Sequence, residues 1–165
     1  MQTRIPPLII MILAILATGC ITPSPPASQP SLSTTPTVAV PLSIQINASP
    51  SRYNPAMSST IGIRLTPVNT SGIIPSSAQF AWATTFGSFY HWGPPDFKVV
   101  ELGPEYTGNA EPVYWSYFAE HIEEGMQPVN ITLTVRDPSE EGILAKASVK
   151  IGWETPSGLT AIVEG

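Results

Sequence analysis

Val129-Asn-Ile-Thr-Leu-Thr-Val-Arg-Asp137 and, after a short gap, Ala145-Lys-Ala-Ser-Val-Lys-Ile-Gly-Trp153 decide the fold. In the first stretch every second residue is apolar: Val129, Ile131, Leu133 and Val135. In the second the same holds for Ala145, Ala147, Val149, Ile151 and Trp153. Successive side chains of a strand point to opposite faces, so a period of two gives one dry face and one wet face. A helix would space its apolar positions three and four apart. Lys146, Ser148 and Lys150 then fall on the wet face, and Asp137 to Gly142 make the turn between the two strands.

Working outward, the same alternation recurs. Leu42, Ile44 and Ile46 share a face, as do Ile61, Ile63 and Leu65, with Arg64 turned out. Phe80 and Trp82 mark a third strand and Phe97–Leu102 a less regular fourth. Val113, Trp115 and Tyr117 alternate in a fifth. Turn-forming residues separate these runs at Pro50 to Pro55, Asn69 to Pro75, Gly93-Pro94-Pro95 and Gly103 to Asn109. Glu120–Gly125 has room for one helical turn in a connection. Short strands at this spacing, without a long amphipathic helix, predict one all-β domain over residues 42–156. The expected architecture is a two-sheet sandwich of about seven strands, and residues 157–165 are expected to form a C-terminal tail.

Phe80-Ala81-Trp82-Ala83, Phe86-Gly87-Ser88-Phe89, Val113-Tyr114-Trp115-Ser116 and Val129 to Asp137 together resemble the prokaryotic immunoglobulin-like and PKD-like surface domains. The resemblance implies an immunoglobulin-like β-sandwich serving adhesion, spacing or binding.

The N-terminus is of a different kind. Arg4 is followed by the continuous apolar run Leu8–Ala17, then by Thr18-Gly19-Cys20. The run has the length of a signal-peptide core and falls short of the roughly 20 residues a membrane helix needs. Leu16-Ala17-Thr18-Gly19-Cys20 resembles the lipobox of prokaryotic lipoproteins, with the leucine one place earlier than the family pattern has it. The resemblance implies cleavage before Cys20 and lipid attachment to its thiol, with Met1–Cys20 as the signal segment. An uncleaved N-terminal anchor is the other reading of the same residues. Either one puts the remainder outside the cell membrane. Cys20 is the sole cysteine, so no internal disulfide supports the domain.

Residues 21–41 hold six prolines, eight Ser or Thr residues, and no charge or glycine. Such a stretch cannot bury enough apolar area to offset its ordering entropy. It reads as a disordered tether; in a polyproline II conformation, at about 3 Å per residue, it reaches roughly 60 Å.

Charge narrows the partners. Only 12% of the chain is charged, and from Cys20 onward there are 6 basic and 12 acidic side chains, a balance of −6. Such a surface repels nucleic-acid phosphates and gains nothing from anionic lipid. The expected partners are therefore the membrane, through the N-terminus, and a surface protein or glycan.

No nucleophile–base pattern, paired carboxylate or phosphate loop occurs, so no enzyme activity or cofactor is expected. His91 and His121 stand apart, and Glu120, His121, Glu123 and Glu124 read as a solvated acidic turn. Asp137, Glu140 and Glu141 offer at most a weak calcium site, without Asp-x-Asp spacing. The aromatic segment Phe86, Phe89, Tyr90 and Trp92 ahead of Gly93-Pro94-Pro95 is the chief candidate for ligand contact, with Phe89, Tyr90 and Trp92 as the contacting rings. The other reading of these rings is packing at one end of the sandwich. Asn47, Asn69 and Asn130 head Asn-x-Ser/Thr sequons and are candidate glycosylation sites.

Overall fold

The computed structural model describes residues 40–94, 96–121, 127–139, 142–154 and 160–164. The expected signal segment with Cys20, and the tether up to residue 39, lie outside the described residues. So do Glu123, Glu124, Glu140 and Glu141.

The domain is all-β. In chain order the strands are β1 (Ser43–Ser49), β2 (Arg52–Tyr53), β3 (Ile63–Ser71), β4 (Gln79–Thr84), β5 (Ser88–His91), β6 (Val100–Gly103), β7 (Glu105–Gly108), β8 (Val113–Ser116), β9 (Val129–Asp137), β10 (Gly142–Glu154) and β11 (Thr160–Glu164). Among the described residues one 3-10 turn, Ala119–His121, is found, after β8. One antiparallel sheet has five strands in the order β1-β3-β8-β5-β6, and the other has six in the order β2-β11-β10-β9-β4-β7.

The two deciding stretches pair with each other as β9 and β10, with Leu133 opposite Ala147 and Ile131 opposite Val149. Val129, Ile131, Leu133 and Val135 are buried, whereas Lys146, Ser148 and Lys150 are exposed. A bulge leaves Leu144 without a partner, between Ile143 opposite Arg136 and Ala145 opposite Val135. The extra residue resets the alternation, so Ile143 faces water and Ala145 faces inward.

Both sheets contribute to a single core. Ile44, Ile63, Leu65, Phe89, Val113 and Trp115 come from the five-stranded sheet. Phe80, Trp82, Val129, Ile131, Leu133, Val135, Ile151 and Ala161 meet them from the six-stranded one. Trp82 and Phe89 touch across the interface with ring centroids 6.0 Å apart. The Trp82 Nε1 is buried without a hydrogen-bond partner, a cost of roughly 1–3 kcal/mol set against burial of a large ring.

Five features depart from the sequence reading, which expected about seven strands where the described residues hold eleven; the first is Ser88–His91, expected as a loop carrying the aromatic rings, which is β5. Arg52-Tyr53, expected as turn, is β2: Tyr53 turns its ring into the core, and its hydroxyl shares a 2.9 Å hydrogen bond with Ser116 Oγ. The strand expected over Phe97–Leu102 begins only at Val100, because Phe97 has φ 49° and left-handed backbone cannot continue a strand. Glu105–Gly108, inside the expected Gly103–Asn109 turn, is β7 and pairs with β4. Thr160–Glu164, expected as tail, is β11; it pairs with β10 and β2 and buries Ala161 completely. The β domain therefore runs past residue 156.

The turn after β9 is pinned by Asp137, whose Oδ1 accepts from Ser139 N (3.0 Å), Ser139 Oγ (2.6 Å) and Ser77 Oγ (3.3 Å). The hydrogen bonds from Ser139 hold this carboxyl below its ordinary value, with Ser77 adding to the effect. A depressed folded-state pKa adds stability that is present above the unfolded value, about 3.9, and is lost as pH falls through the folded one. Acidification below about pH 4 should thus weaken the domain in part through Asp137. In acid titrations followed by circular dichroism, Asp137→Asn should flatten that part of the curve. An unchanged acid limb would show that Asp137 contributes nothing to it.

Candidate functional site

The five-stranded sheet positions the aromatic residues. β5 and β8 lie side by side, with Ser88 opposite Ser116, Phe89 opposite Trp115 and Tyr90 opposite Tyr114. Alternation sends Phe89 and Trp115 inward and Tyr90 and Tyr114 outward. Phe89 is completely buried. Of the three rings expected to contact a ligand, it is therefore a core residue, fixed there because inward positions on β5 face Trp82.

Trp92, two residues beyond Tyr90, emerges on the same side and is 45% exposed. It meets Tyr114 at 6.2 Å and 74°, and Phe97 at 6.0 Å and 69°. Its Nε1 donates to the Phe97 carbonyl at 3.1 Å, and Phe97 N donates to the Gly93 carbonyl at 2.9 Å, so the turn is closed on itself. Edge-to-face contacts of this kind are favourable beyond simple burial. Around this turn Phe97 is 60%, Val99 53% and Val100 50% exposed. Val100 begins β6, the outermost strand of its sheet.

Two charges flank the aromatic face. Arg64 lies opposite Tyr114 on β3, and Glu101 lies opposite Tyr90 on β6. Partial burial pushes the Tyr90 hydroxyl above its ordinary pKa, and the Glu101 carboxylate adds to that. The Asp96–Lys98 pair, at 3.9 Å and well exposed, contributes little.

Phe97, Val99 and Val100 were legible only as strand material; nothing in their spacing marks them as surface. By contrast, the outer face of the six-stranded sheet carries small or polar side chains where β4, β7 and β9 meet, with Ile143 of β10 its exposed large apolar residue. Ala81, Ala83, Thr107 and Thr134 line a depression of about 460 Å3 there.

The remaining candidates separate. Asn47 and Asn130 are exposed on β1 and β9, where a glycan has room. Asn69 is exposed too, but its amide is engaged: Nδ2 donates to the Gly72 carbonyl at 3.0 Å and Oδ1 accepts from Ser71 N at 3.2 Å. His91 ends β5, and His121 ends the 3-10 turn with its ring 5.8 Å from Phe118. Among the described residues no three His, Cys, Asp or Glu side chains are grouped to hold a metal ion. Tyr117 is pushed up to about 12 by burial and donates to the Tyr53 carbonyl at 3.2 Å, so it serves as a fixed donor rather than a proton carrier. What the aromatic face can do is bury apolar surface against another molecule. Comparison with protein-family models, with curated proteins and with solved structures finds no match to the chain.

Proposed function

We propose that the chain is a membrane-tethered extracytoplasmic module whose β domain makes protein–protein contact through the Trp92 face and the neighbouring β6 edge. The observation that carries this reading is the group Trp92, Phe97, Val99 and Val100. Four large apolar side chains lie about half exposed within nine residues, beside an unpaired strand edge. Sheet edges are normally blunted by charge or cover, and contiguous exposed apolar surface marks interaction sites. Among the described residues, single exposed ones elsewhere, such as Met57 and Ile73, form no comparable group.

The immunoglobulin-like reading draws support from strand order. With β2, β6, β7 and β11 set aside, the sheets run β1-β3-β8-β5 and β4-β9-β10. Counted along the chain that is 1-2-5-4 against 3-6-7, the arrangement of a constant-type immunoglobulin domain. The signal-like run Leu8–Ala17, Cys20 and the uncharged Pro-rich stretch support placement outside the membrane on a lipid anchor. Sugar stacking has less in its favour, because Phe89 has no free face and Trp92 meets its neighbours edge-on.

Two results are expected from one set of cells expressing the full chain. Wild-type protein should fractionate with membranes and incorporate labelled fatty acid, and Cys20→Ser should abolish the label and release the protein. A photo-crosslinking residue at position 97 or 99 should give a discrete protein adduct in intact cells, while one at Thr132, on the opposite outer face, should give none. An unlabelled Cys20→Ser protein still held in the membrane overturns the lipid anchor. Absence of adducts from both 97 and 99 overturns the contact.

A further inference from the structure

Where β5 starts and β8 ends, the chain encloses a pocket of about 230 Å3. Phe86 and Tyr90 line it from the β5 side, and Tyr117 and Phe118 from the segment after β8. Phe118, 56% exposed, stands at the rim with the His121 ring edge-on to it at 5.8 Å. Tyr117, 3% exposed, lies deep. The inner rings are held rigidly: Trp153 meets Tyr117 at 5.0 Å and 86°, and Phe86 at 6.0 Å and 78°.

The lining selects a ligand class. It holds no Lys or Arg, and its one basic side chain is His121, edge-on to Phe118 at the rim. Of its two serine hydroxyls, that of Ser116 is already engaged with Tyr53, which leaves few groups to read a sugar. What remains are aromatic rings beside His121, with two carboxylates just beyond the lining. Glu101 sits opposite Tyr90 across the β5–β6 ladder, and Glu120 is the residue before His121. The quadrupole of an aromatic ring attracts a cation, and the attraction grows when the cation is poorly hydrated. A trimethylammonium head meets that description and is small enough for the space.

We infer that this pocket binds a quaternary-ammonium group, held by cation–π contact with Phe86, Tyr90 and Phe118. The inference is independent of the Trp92 contact surface, since neither Phe118 nor Phe86 belongs to it, and failure of one leaves the other standing.

The test is calorimetric titration of the full chain in a maltoside detergent, which carries no choline headgroup. Choline is compared with its uncharged isostere, in which a tert-butyl group replaces the trimethylammonium. Choline should bind about tenfold more tightly than the isostere. Phe118→Ala, at an exposed position that should not disturb folding, should weaken choline binding about fivefold or more. Met57→Ala, at an exposed position outside the pocket lining, should leave it unchanged. Glycerophosphocholine separates the two sources of such a group. Tighter binding than choline assigns a lipid headgroup, weaker binding assigns the free cation, and either result supports the site. Equal binding of choline and isostere, no binding of choline, or no effect of Phe118→Ala overturns it.

Discussion

Trp115→Ala is expected to lower the unfolding free energy by about 3–5 kcal/mol, the range for removing a large buried aromatic ring. The ring is completely buried on the middle strand of the five-stranded sheet, with Ile63 opposite it on β3 and Phe89 on β5. It packs on Tyr117 at a centroid distance of 5.4 Å, and its Nε1 donates to the Phe86 carbonyl at 2.8 Å. Removal leaves a cavity that β3, β5 and β8 cannot all close on, and it takes the partner from Phe86. Domains of this size are stable by roughly 5–15 kcal/mol, so the loss is a large share of the total. Trp115→Phe keeps most of the apolar area and should cost less. Tyr114→Ala, one residue away on the outer face, should cost about 1 kcal/mol, the scale of a cross-strand pair. Urea midpoints at constant slope measure all three. Equal losses for Trp115→Ala and Tyr114→Ala would mean that the inward and outward faces of β8 are assigned wrongly.

The same alternation explains how far the sequence could be read. It is plain in β9, β10, β1 and the start of β3, because each is long enough to repeat and has one face in the core. It fails where a strand is too short to show a period. β2 is two residues long and is recognised as strand only through its pairing with β11, helped by the Arg52–Glu154 ion pair. β7 and β11 are likewise recognised by their partners and not by their own pattern. At Phe97 the pattern misled. An apolar residue in a plausible run has left-handed backbone, and a conformation of that kind on a bulky side chain leaves no trace in hydropathy.

The candidate site shows the limit more sharply. Phe86, Phe89, Tyr90 and Trp92 are adjacent in sequence and invite reading as one patch, yet strand geometry sends them to three places. Phe89 enters the core, Phe86 and Tyr90 line the pocket, and Trp92 joins Tyr114 and Phe97. Their true neighbours come from far along the chain. Ser88 meets Ser116, and that register alone brings Phe118 and His121 to Phe86. His121, legible as part of an acidic turn, stands instead against an aromatic ring. Pairing register is set by the whole sheet, so no local motif announces it.

Gly87 tests that register directly, and Gly87→Ala is expected to cost about 2–5 kcal/mol, combining left-handed strain with overpacking. Its φ is +76°, which disfavours any residue with a Cβ. A methyl there would also press on the Ser116 carbonyl oxygen and lie 2.9 Å from Trp115 Nε1. Neither neighbour can yield cheaply, since one is strand backbone and the other is held by its bond to Phe86. Gly103→Ala isolates the first cost. Gly103 has φ +88° but open space around its Cβ position, so only the backbone term of about 1–2 kcal/mol should appear. The excess of Gly87→Ala over Gly103→Ala then measures how closely β5 approaches β8. Because the crowding involves the indole nitrogen, Trp115→Phe should relieve part of it. The double mutant should therefore depart from additivity by at least about 0.5 kcal/mol. If Gly87→Ala proves no worse than Gly103→Ala, the two strands do not meet as described, and the pocket between their ends goes with them.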